Sequence, residues 1–191
     1  MAAPAVDVEN LSDGGVILRS PQAIGDYPDT QSAWIIDWAS RTPDAIFLAD
    51  RSGPDGAWRR ITYQEFLVQM KSVAQSLLDR RLSVDQPVAI LSDNSIDNAL
   101  LLYGAMHVGI PVVPISPAYS LMSQDFGKLK HIAGLTTPGL VYVADGDKFA
   151  AALKAVDFGG AEIVASANPP AGLEVTEFGA LVKTKPTNSD D

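Results

Sequence analysis

The sequence PVAILSDNSIDNALLLYGAMHVGIPVVPISPAYS, residues 87–120, contains a strand, a helix and a second strand in close succession. The apolar run Pro87–Leu91 predicts the first strand, and Ser95 is placed to cap the helix that follows. Gly109 suits a left-handed stop after that helix, and Pro111–Ile115 predicts the second strand. The helix is apolar on almost every side, which indicates deep burial. Such a unit is typical of a parallel sheet with crossover helices.

The alternation of strands and helices continues on both sides of this unit. Upstream, Thr62 and Glu65 form a T-x-x-E capping box before a helix with a helical stripe of apolar residues. The other predicted strands are Ala45–Asp50 and Trp58–Thr62, which flank the turn-prone Gly53-Pro54-Asp55-Gly56, and further along Gly139–Val143 and Glu162–Ala165. The other predicted helices are one around Trp34 and Trp38, one from Ser123 with Phe126, Leu129 and Ala133 inside, one over Lys148–Val156 and one over Thr176–Val182.

These elements predict an α/β fold, with three α/β/α layers around a mainly parallel sheet that is preceded by a β-hairpin. Residues 1–30 are rich in Gly, Pro and Asp and predict an extended arm. Residues 31–182 predict the folded domain. The polar tail KTKPTNSDD, residues 183–191, is typical of a linker or a truncated end.

The overall composition excludes several classes of function. The 191 residues carry 14 Lys+Arg against 23 Asp+Glu, a net charge of −9, which disfavours binding to nucleic acid or to an anionic membrane surface. The chain has no cysteine, so disulfides, thiolate nucleophiles and cysteine-bound zinc are excluded. We find no secretory signal and no membrane-length apolar run, and we expect a cytoplasmic protein.

Motifs for common chemistries are absent from the sequence. The glycines at 104 and 109 fail the P-loop pattern, because Ile110-Pro111 follows them, and no dinucleotide-binding G-x-G-x-x-G occurs. His107 and His131 lie near the ends of different helices, where structural roles are favoured over catalysis. Trp34 and Trp38, at i,i+4 spacing, indicate a core or interface stripe more than a binding surface.

Two polar segments follow the carboxyl ends of predicted strands, where ligand sites of α/β sheets usually lie. Asp93-Asn94-Ser95 is one, although Asn and Ser are ordinary turn and capping residues and that interpretation is favoured. Ser116-Pro117-Ala118-Tyr119 is the other, held extended by Pro114 and Pro117. Tyr119 could line a pocket or cover the helix below it, and the residues do not decide between the two.

Several stretches resemble the amino-terminal region of the AMP-forming acyl-CoA synthetase superfamily. They are RTPDAIFLAD followed by WRRITYQEFL, and then the stretch at 87–120 with its buried helix and its paired prolines. ILRSPQAIGDYPDT, SPAYSLMSQDFGKLKHI and TPGLVYV are similar in particular to the bacterial feruloyl-CoA synthetases. The resemblance covers roughly residues 16–182.

The resemblance implies an enzyme that activates a phenolic, hydroxycinnamic acid with ATP to an acyl-adenylate and then transfers the acyl group to CoA, with Mg²⁺ on the ATP phosphates. In that family the catalytic parts lie further along the chain, and none has a counterpart here. No catalytic or metal-binding residue is therefore assigned. Ser116, Pro117, Ala118 and Tyr119 match a loop that lies beside the CoA channel in some relatives. We expect the fragment alone to bind none of these cofactors and to be inactive.

Two interpretations of the whole protein stay open. In the first, the chain is the amino-terminal part of an acid–CoA ligase, partnered by the rest of its own chain, with a homodimer as a further option. In the second, it is a short, non-catalytic binding or assembly module on the same scaffold. In the first interpretation, the surface that the rest of the protein would cover is expected to be apolar and exposed in this chain, and the chain is expected to self-associate. A flavodoxin-like ligand binder is a third and weaker alternative.

Overall fold

The computed structural model describes residues 5–52 and 54–187. The chain forms nine strands and seven α-helices over these residues, and Pro54–Gly56 adds one 3₁₀ turn. The strands are β1 Asp7–Asn10, β2 Val16–Arg19, β3 Ile46–Asp50, β4 Arg59–Thr62, β5 Val88–Ile90, β6 Val112–Pro114, β7 Leu140–Asp145, β8 Glu162–Ala167 and β9 Thr176–Glu177. The helices are α1 Gln31–Arg41, α2 Tyr63–Asp79, α3 Ile96–His107, α4 Ala118–Leu121, α5 Gly127–Thr136, α6 Gly146–Ala155 and α7 Phe178–Val182.

The central sheet has five parallel strands in the order β6-β5-β7-β8-β9. The chain adds β6 on one side of β5 and then returns to place β7 on the other side. The strand order therefore reverses between β5 and β7, which is the switch point where open α/β sheets commonly bind ligands. The predicted fold class is confirmed.

Both faces of this sheet are buried, as three-layer packing requires. In β5, Val88 and Ile90 enter the core cluster beneath α2, α3 and α7, whereas Ala89 enters the cluster beneath α5 and α6. In β7, Leu140 and Tyr142 lie in the first cluster and Val141 in the second. Successive side chains thus alternate between two cores.

Two antiparallel hairpins stand apart from the central sheet. β3 pairs with β4 as predicted, with a register shift between Ile46 and Leu48; Gly53 of the predicted turn lies outside the described residues. Thr62 accepts from the Glu65 amide and the Glu65 carboxylate accepts from Thr62 N, which confirms the capping box. β1 pairs with β2 inside the segment that we expected to be a simple extended arm.

Some predicted elements begin elsewhere. The helix expected from Ser123 is α5, which begins at Gly127, because the Ser123 hydroxyl accepts the Phe126 amide and Phe126 takes a left-handed conformation. Thr176 and Glu177 pair with β8 instead of opening the last helix. The helix α3 buries five residues, and Ala99, Leu102 and Tyr103 pack partly buried against the same core, while Met106 near its end is 39% exposed.

The ends of the chain are only partly described. Residues 1–4 of the predicted arm and 188–191 of the predicted tail lie outside the described residues. Within the tail, the Thr187 amide and hydroxyl both donate to Gln75 Oε1 on α2, at 3.1 and 2.7 Å. Across the described ranges, no helix combines the length and apolarity needed to cross a membrane.

Candidate functional site at the carboxyl edge of the parallel sheet

The loops after β5, β6, β7 and β8 meet at one edge of the sheet, since parallel strands end on the same side. The segment 93–95 follows β5 and acts as a turn and a helix cap. Ser95 Oγ accepts the Asn98 amide at 3.0 Å, and Asn98 Nδ2 donates to the Asp93 carbonyl at 3.2 Å. Asp50 Oδ2 accepts the Ile96 amide at 2.8 Å. The favoured interpretation of this segment as turn and cap is confirmed.

A chain of hydrogen bonds crosses the same edge. Tyr142 Oη of β7 lies 2.8 Å from Ser166 Oγ at the end of β8. Ser166 donates to Asp97 Oδ2 at 2.7 Å, and Arg59 Nη1 of β4 lies 2.7 Å from Asp97 Oδ1. Burial raises the pKa of Tyr142 to about 12, and the hydrogen bond with Ser166 offsets only part of that shift. The phenol therefore stays neutral at physiological pH and acts as a structural hydrogen-bonding group.

Sequence analysis missed this network. Its four residues come from β4, α3, β7 and β8, and each is an ordinary residue type at its position. Only the fold brings them together. Arg59 and Ser166 donate to the two carboxylate oxygens of Asp97. Asp97 therefore has a structural role, in which it links α3 to β4 and β8.

A second polar bridge spans the switch point between β5 and β7. Lys148, in the first turn of α6, places Nζ 2.5 Å from Asp93 Oδ2. Asp145 caps the same helix by accepting the Lys148 amide at 3.1 Å and also accepts from Asn168 Nδ2 at 2.9 Å. Gly146 is required here because a Cβ atom would lie 2.5 Å from the Asn168 carbonyl oxygen. The loop after β8 thus closes tightly over the start of α6.

The segment Ser116–Tyr119 lies at the carboxyl end of β6, as predicted, but the expectation that it is held extended is wrong. Pro117 has right-handed helical angles, φ −54° and ψ −26°, and Ala118 and Tyr119 are the first two residues of the short helix α4. Tyr119 is partly buried against the core cluster beneath α5 and α6, and Lys128 Nζ lies 5.0 Å from its ring centroid. Ser116 and Ala118 are exposed. The Tyr119 ring packs against the core cluster beneath α5 and α6, and the exposed Lys128 side chain lies over the ring. A role beside a CoA channel stays a prediction.

The described residues do not supply a metal site. The resemblance implies Mg²⁺, but within residues 5–52 and 54–187 no three or more His, Cys, Asp or Glu side chains cluster in a way that could hold a metal ion.

A groove of about 400 Å³ lies away from this edge, against α1. We call it the aromatic groove; its lining residues are Gln31, Trp34, Ile35, Trp38, Phe47, Tyr63 and Tyr103. Trp34 and Trp38 are 51% and 42% exposed, so the core alternative of the predicted stripe is wrong, and the interface alternative stays a prediction. Ile35 and Ala39 are the apolar residues that α1 buries.

Comparisons with known proteins give a consistent family. The model of the family described as AMP-binding enzyme matches residues 35–188. A subunit of the mycosubtilin synthase of Bacillus subtilis is 28% identical over 100 residues, which are 51% of this chain and 4% of that protein. Bacitracin synthase 3 of Bacillus licheniformis is 30% identical over 121 residues, which are 60% of this chain and 2% of that protein. The chain thus spans only a small fraction of these curated relatives.

Solved structures share the fold at low identity. A benzoate CoA ligase from Burkholderia xenovorans LB400 matches with a TM-score of 0.64 and 14% identity, over 82% of this chain and 29% of the ligase. The Klebsiella oxytoca NpsA N-terminal subdomain, in complex with 3-hydroxyanthranilyl-AMSN, matches with a TM-score of 0.57 and 17% identity, over 83% of this chain and 34% of that one.

Proposed function

This chain belongs to the AMP-binding enzyme family, and from that membership we propose that it is the amino-terminal part of an ATP-dependent ligase that joins a phenolic carboxylic acid, such as ferulate, to CoA. Its fold is that of the amino-terminal subdomain of adenylate-forming enzymes. The observation that carries the proposal is the family match over residues 35–188. The similarity of residues 17–30, 116–132 and 137–143 to feruloyl-CoA synthetases supports the choice of acid.

The proposed reaction has two steps. The carboxylate of the acid attacks the α-phosphorus of ATP, forming an acyl–adenylate anhydride as pyrophosphate leaves. The CoA thiol then attacks the acyl carbon, a thioester forms, and AMP leaves with the bonding electrons of the anhydride. Both steps need positioned cationic groups on the phosphates. We expect those groups to lie outside residues 1–191.

Within this proposal, the chain supplies framework. The Tyr142–Ser166–Asp97–Arg59 network ties the parallel sheet to the β3–β4 hairpin, and the exposed Asp93–Lys148 ion pair joins the loop after β5 to the first turn of α6. The loop Ser116–Tyr119 is proposed to border the path of CoA. Replacing Tyr119 by Ala in the complete enzyme is expected to raise the KM for CoA, with Lys130→Gln, an exposed cation on α5, as the control. An unchanged KM would remove the loop from the proposal.

A second candidate function is adenylation for peptide synthesis. It is favoured by the 31% identity over 104 residues to a protein of Aspergillus terreus whose name describes it as a peptide synthetase. The two candidates differ in the acyl acceptor, which is the thiol of CoA in one and a carrier-bound thiol in the other. They also differ in the acid, which is a phenolic acid or an amino acid. The binding-module interpretation predicts neither activity.

The test begins with the intact mass of the protein in its source cell, detected through a peptide of this region. The protein at that length is then assayed for acid-dependent pyrophosphate exchange with ferulate, benzoate and phenylalanine, followed by CoA-dependent AMP release. Exchange with ferulate and formation of a CoA thioester are expected. Exchange with phenylalanine alone would favour the second candidate, and exchange with no acid in a protein of about 20.2 kDa would favour the binding module. Residues 1–191 alone are expected to release no pyrophosphate.

A further inference from the structure

The β1–β2 hairpin carries an apolar face that belongs to neither core of the chain. Val8 of β1 lies opposite Leu18 of β2, and Asn10 lies opposite Val16. Val8, Val16 and Leu18 therefore share one face, and they are 59%, 56% and 65% exposed. Among the described residues, neither core cluster includes a residue of this hairpin. A hairpin of two strands is at best marginally stable in water, so this one is expected to gain stability from further strands.

The hydrogen bonds of the turn show which backbone groups lie on the free edge of β2. The Leu11 amide donates to the Gly15 carbonyl at 2.8 Å, so this pair is hydrogen-bonded. Bonded and non-bonded pairs alternate along an antiparallel ladder, so the pairs that contain Val16 and Leu18 are non-bonded. Both residues therefore direct their N–H and C=O groups away from β1. Since the hairpin is a sheet of two strands, these groups are open to another strand.

The edge of β1 is unsuited to pairing with a second copy of itself. Val8 and Asn10 direct their backbone groups outward there, and Asp7 and Glu9 are their acidic neighbours. In the two antiparallel registers that keep most of β1 paired, Glu9 lies opposite Glu9 of the other copy or opposite its Asp7. Like charges directly opposite each other are destabilising, and Arg19 offsets only one of the two carboxylates of each hairpin.

The edge of β2 has no such conflict, because its sequence Val16-Ile17-Leu18-Arg19 contains no acidic residue. When two copies of β2 pair antiparallel about a two-fold axis, Val16 of one copy exchanges backbone hydrogen bonds with Leu18 of the other. Ile17 then lies opposite Ile17 of the other copy, at the axis. Arg19 lies at the strand end, opposite Gly15 of the other copy, and keeps its own ion pair with Glu9. This register satisfies every outward N–H and C=O group of Val16 and Leu18.

We propose that β2 pairs in this register with β2 of a second copy of the chain, so that two hairpins form one antiparallel sheet of four strands. The acidic strand β1 then lies on each outer edge, where its carboxylates face water. The apolar faces of the two hairpins lie on the same side of the sheet, and Val16 and Leu18 of the two copies contact each other. The interface is small, so the dimer is expected to be weak, with a Kd on the order of 100 µM. The inference goes beyond the proposed function, because it rests on the hairpin and not on any reaction.

The first test is cross-linking of the 191-residue chain, which has no cysteine, so one introduced thiol reports one position. At a protein concentration above the expected Kd, mild oxidation of Ile17→Cys is expected to give a disulfide-linked dimer. Opposite residues of a non-bonded pair have Cα atoms about 4.5 Å apart, which a disulfide can span. Glu9→Cys is the matched control, because Glu9 lies opposite Ile17 in the hairpin but its two copies would be three strand spacings, roughly 14 Å, apart. No cross-link through Ile17→Cys, or an equal cross-link through both positions, would overturn the proposal.

Sedimentation of two proline variants tests the same edge without a covalent bond. Leu18→Pro is expected to convert the dimer to a monomer, because proline lacks the N–H that pairs with the second copy and leaves the bonds inside the hairpin intact. Val8→Pro, at the position opposite Leu18, removes only an N–H on the outer edge of β1 and is expected to leave the dimer in place. A wild-type chain that stays monomeric from about 10 µM to 1 mM, one decade on either side of the expected Kd, would overturn the proposal. A dimer that survives Leu18→Pro but dissociates with Trp34→Leu would also overturn it and would place the second copy on the aromatic groove.

Discussion

Arg59 and Asp97 join the β3–β4 hairpin to helix α3 through one ion pair. Arg59 belongs to the β3–β4 hairpin and Asp97 to the first turn of α3, and Nη1 lies 2.7 Å from Oδ1. The Asp97 side chain is only 15% exposed, so its charge is largely removed from solvent. Ser166 satisfies its second oxygen. The hairpin is thereby tied to the carboxyl edge of the parallel sheet through side chains that lie far apart in the sequence.

Replacing Asp97 by Ala is expected to destabilise the chain by about 1–3 kcal/mol, because Arg59 and Ser166 both lose an acceptor in a partly buried place. Urea unfolding followed by circular dichroism measures the free energy of unfolding. The matched control is Asp93→Ala, which breaks the exposed pair with Lys148 and should cost about 0–1 kcal/mol. In a double-mutant cycle with Arg59→Met, a coupling energy near zero would show that the pair adds no stability.

Gly104 marks a close approach of α3 to α2. A Cβ atom at this position would lie 2.9 Å from Val73 Cγ1 and 3.2 Å from the Met70 carbonyl oxygen. Gly104→Ala is therefore expected to destabilise the chain by about 1–3 kcal/mol, since overpacking outweighs the better helix propensity of alanine. Thermal unfolding of the variant measures the change.

Gly134 provides the opposite case on α5. A Cβ atom there meets nothing within 4 Å, so Gly134→Ala should stabilise the chain by roughly 0.5–1 kcal/mol. The two Gly→Ala substitutions, at 104 and at 134, are thus expected to shift the Tm in opposite directions. A rise in Tm for both variants would mean that α2 and α3 can separate at little cost.

The fold was predictable where local pattern and burial agree. Strands β5 and β7 are short apolar runs that bury both faces, and the capping box at Thr62 is a purely local arrangement. Thr176 and Glu177 illustrate the limit, because a two-residue strand exists only through pairing with β8. Their own residue types do not specify that partner.

The site was less predictable, for a different reason. The i,i+4 spacing places Trp34 and Trp38 on one face of α1, but it does not say which face turns inward. The neighbouring Ile35 and Ala39 complete the core instead. The network from Tyr142 to Arg59 was not visible because hydrogen-bond partners that are 24 to 69 residues apart meet only after folding.

Glu162 is expected to contribute to acid sensitivity. Burial raises its pKa, but the hydrogen bonds from Arg80 and Thr176 and the charge of Arg80 together hold that pKa below its ordinary value. Because its pKa is lower in the folded chain, ionised Glu162 stabilises the fold at pH values above the unfolded-state pKa of about 4.5. This stabilisation is lost as the pH falls through the pKa of the folded state. Glu162→Gln should therefore be less stable than wild type at pH 6, with the difference shrinking below about pH 4.5.

Urea unfolding at about pH 6, 5, 4 and 3.5 measures this difference. Glu174→Gln is the control, since Glu174 is exposed on the loop before β9. A difference between wild type and Glu162→Gln that stays constant over this pH range would show that ionisation of Glu162 is not coupled to folding.

His107 is expected to make stability depend on pH near neutrality. Its Nδ1 lies 3.0 Å from Ser32 Oγ on α1, and burial, with the charge of Lys71 on α2, lowers its pKa below the usual 6.5. The unfolded chain therefore takes up a proton before the folded chain does, so stability is full above about pH 6.5 and falls as pH drops toward the folded pKa. The Tm should be lower at about pH 5.5 than at about pH 7.5.

The variant His107→Gln should reduce this difference in Tm between the two pH values, because glutamine retains a polar partner for Ser32 but does not titrate. The chain offers a matched control, since its second histidine, His131, is exposed on α5. His131→Gln should keep the wild-type pH dependence. If His107→Gln and wild type lose the same Tm on acidification, the contact between α1 and α3 does not sense protonation, and the pH dependence arises from the carboxylates instead.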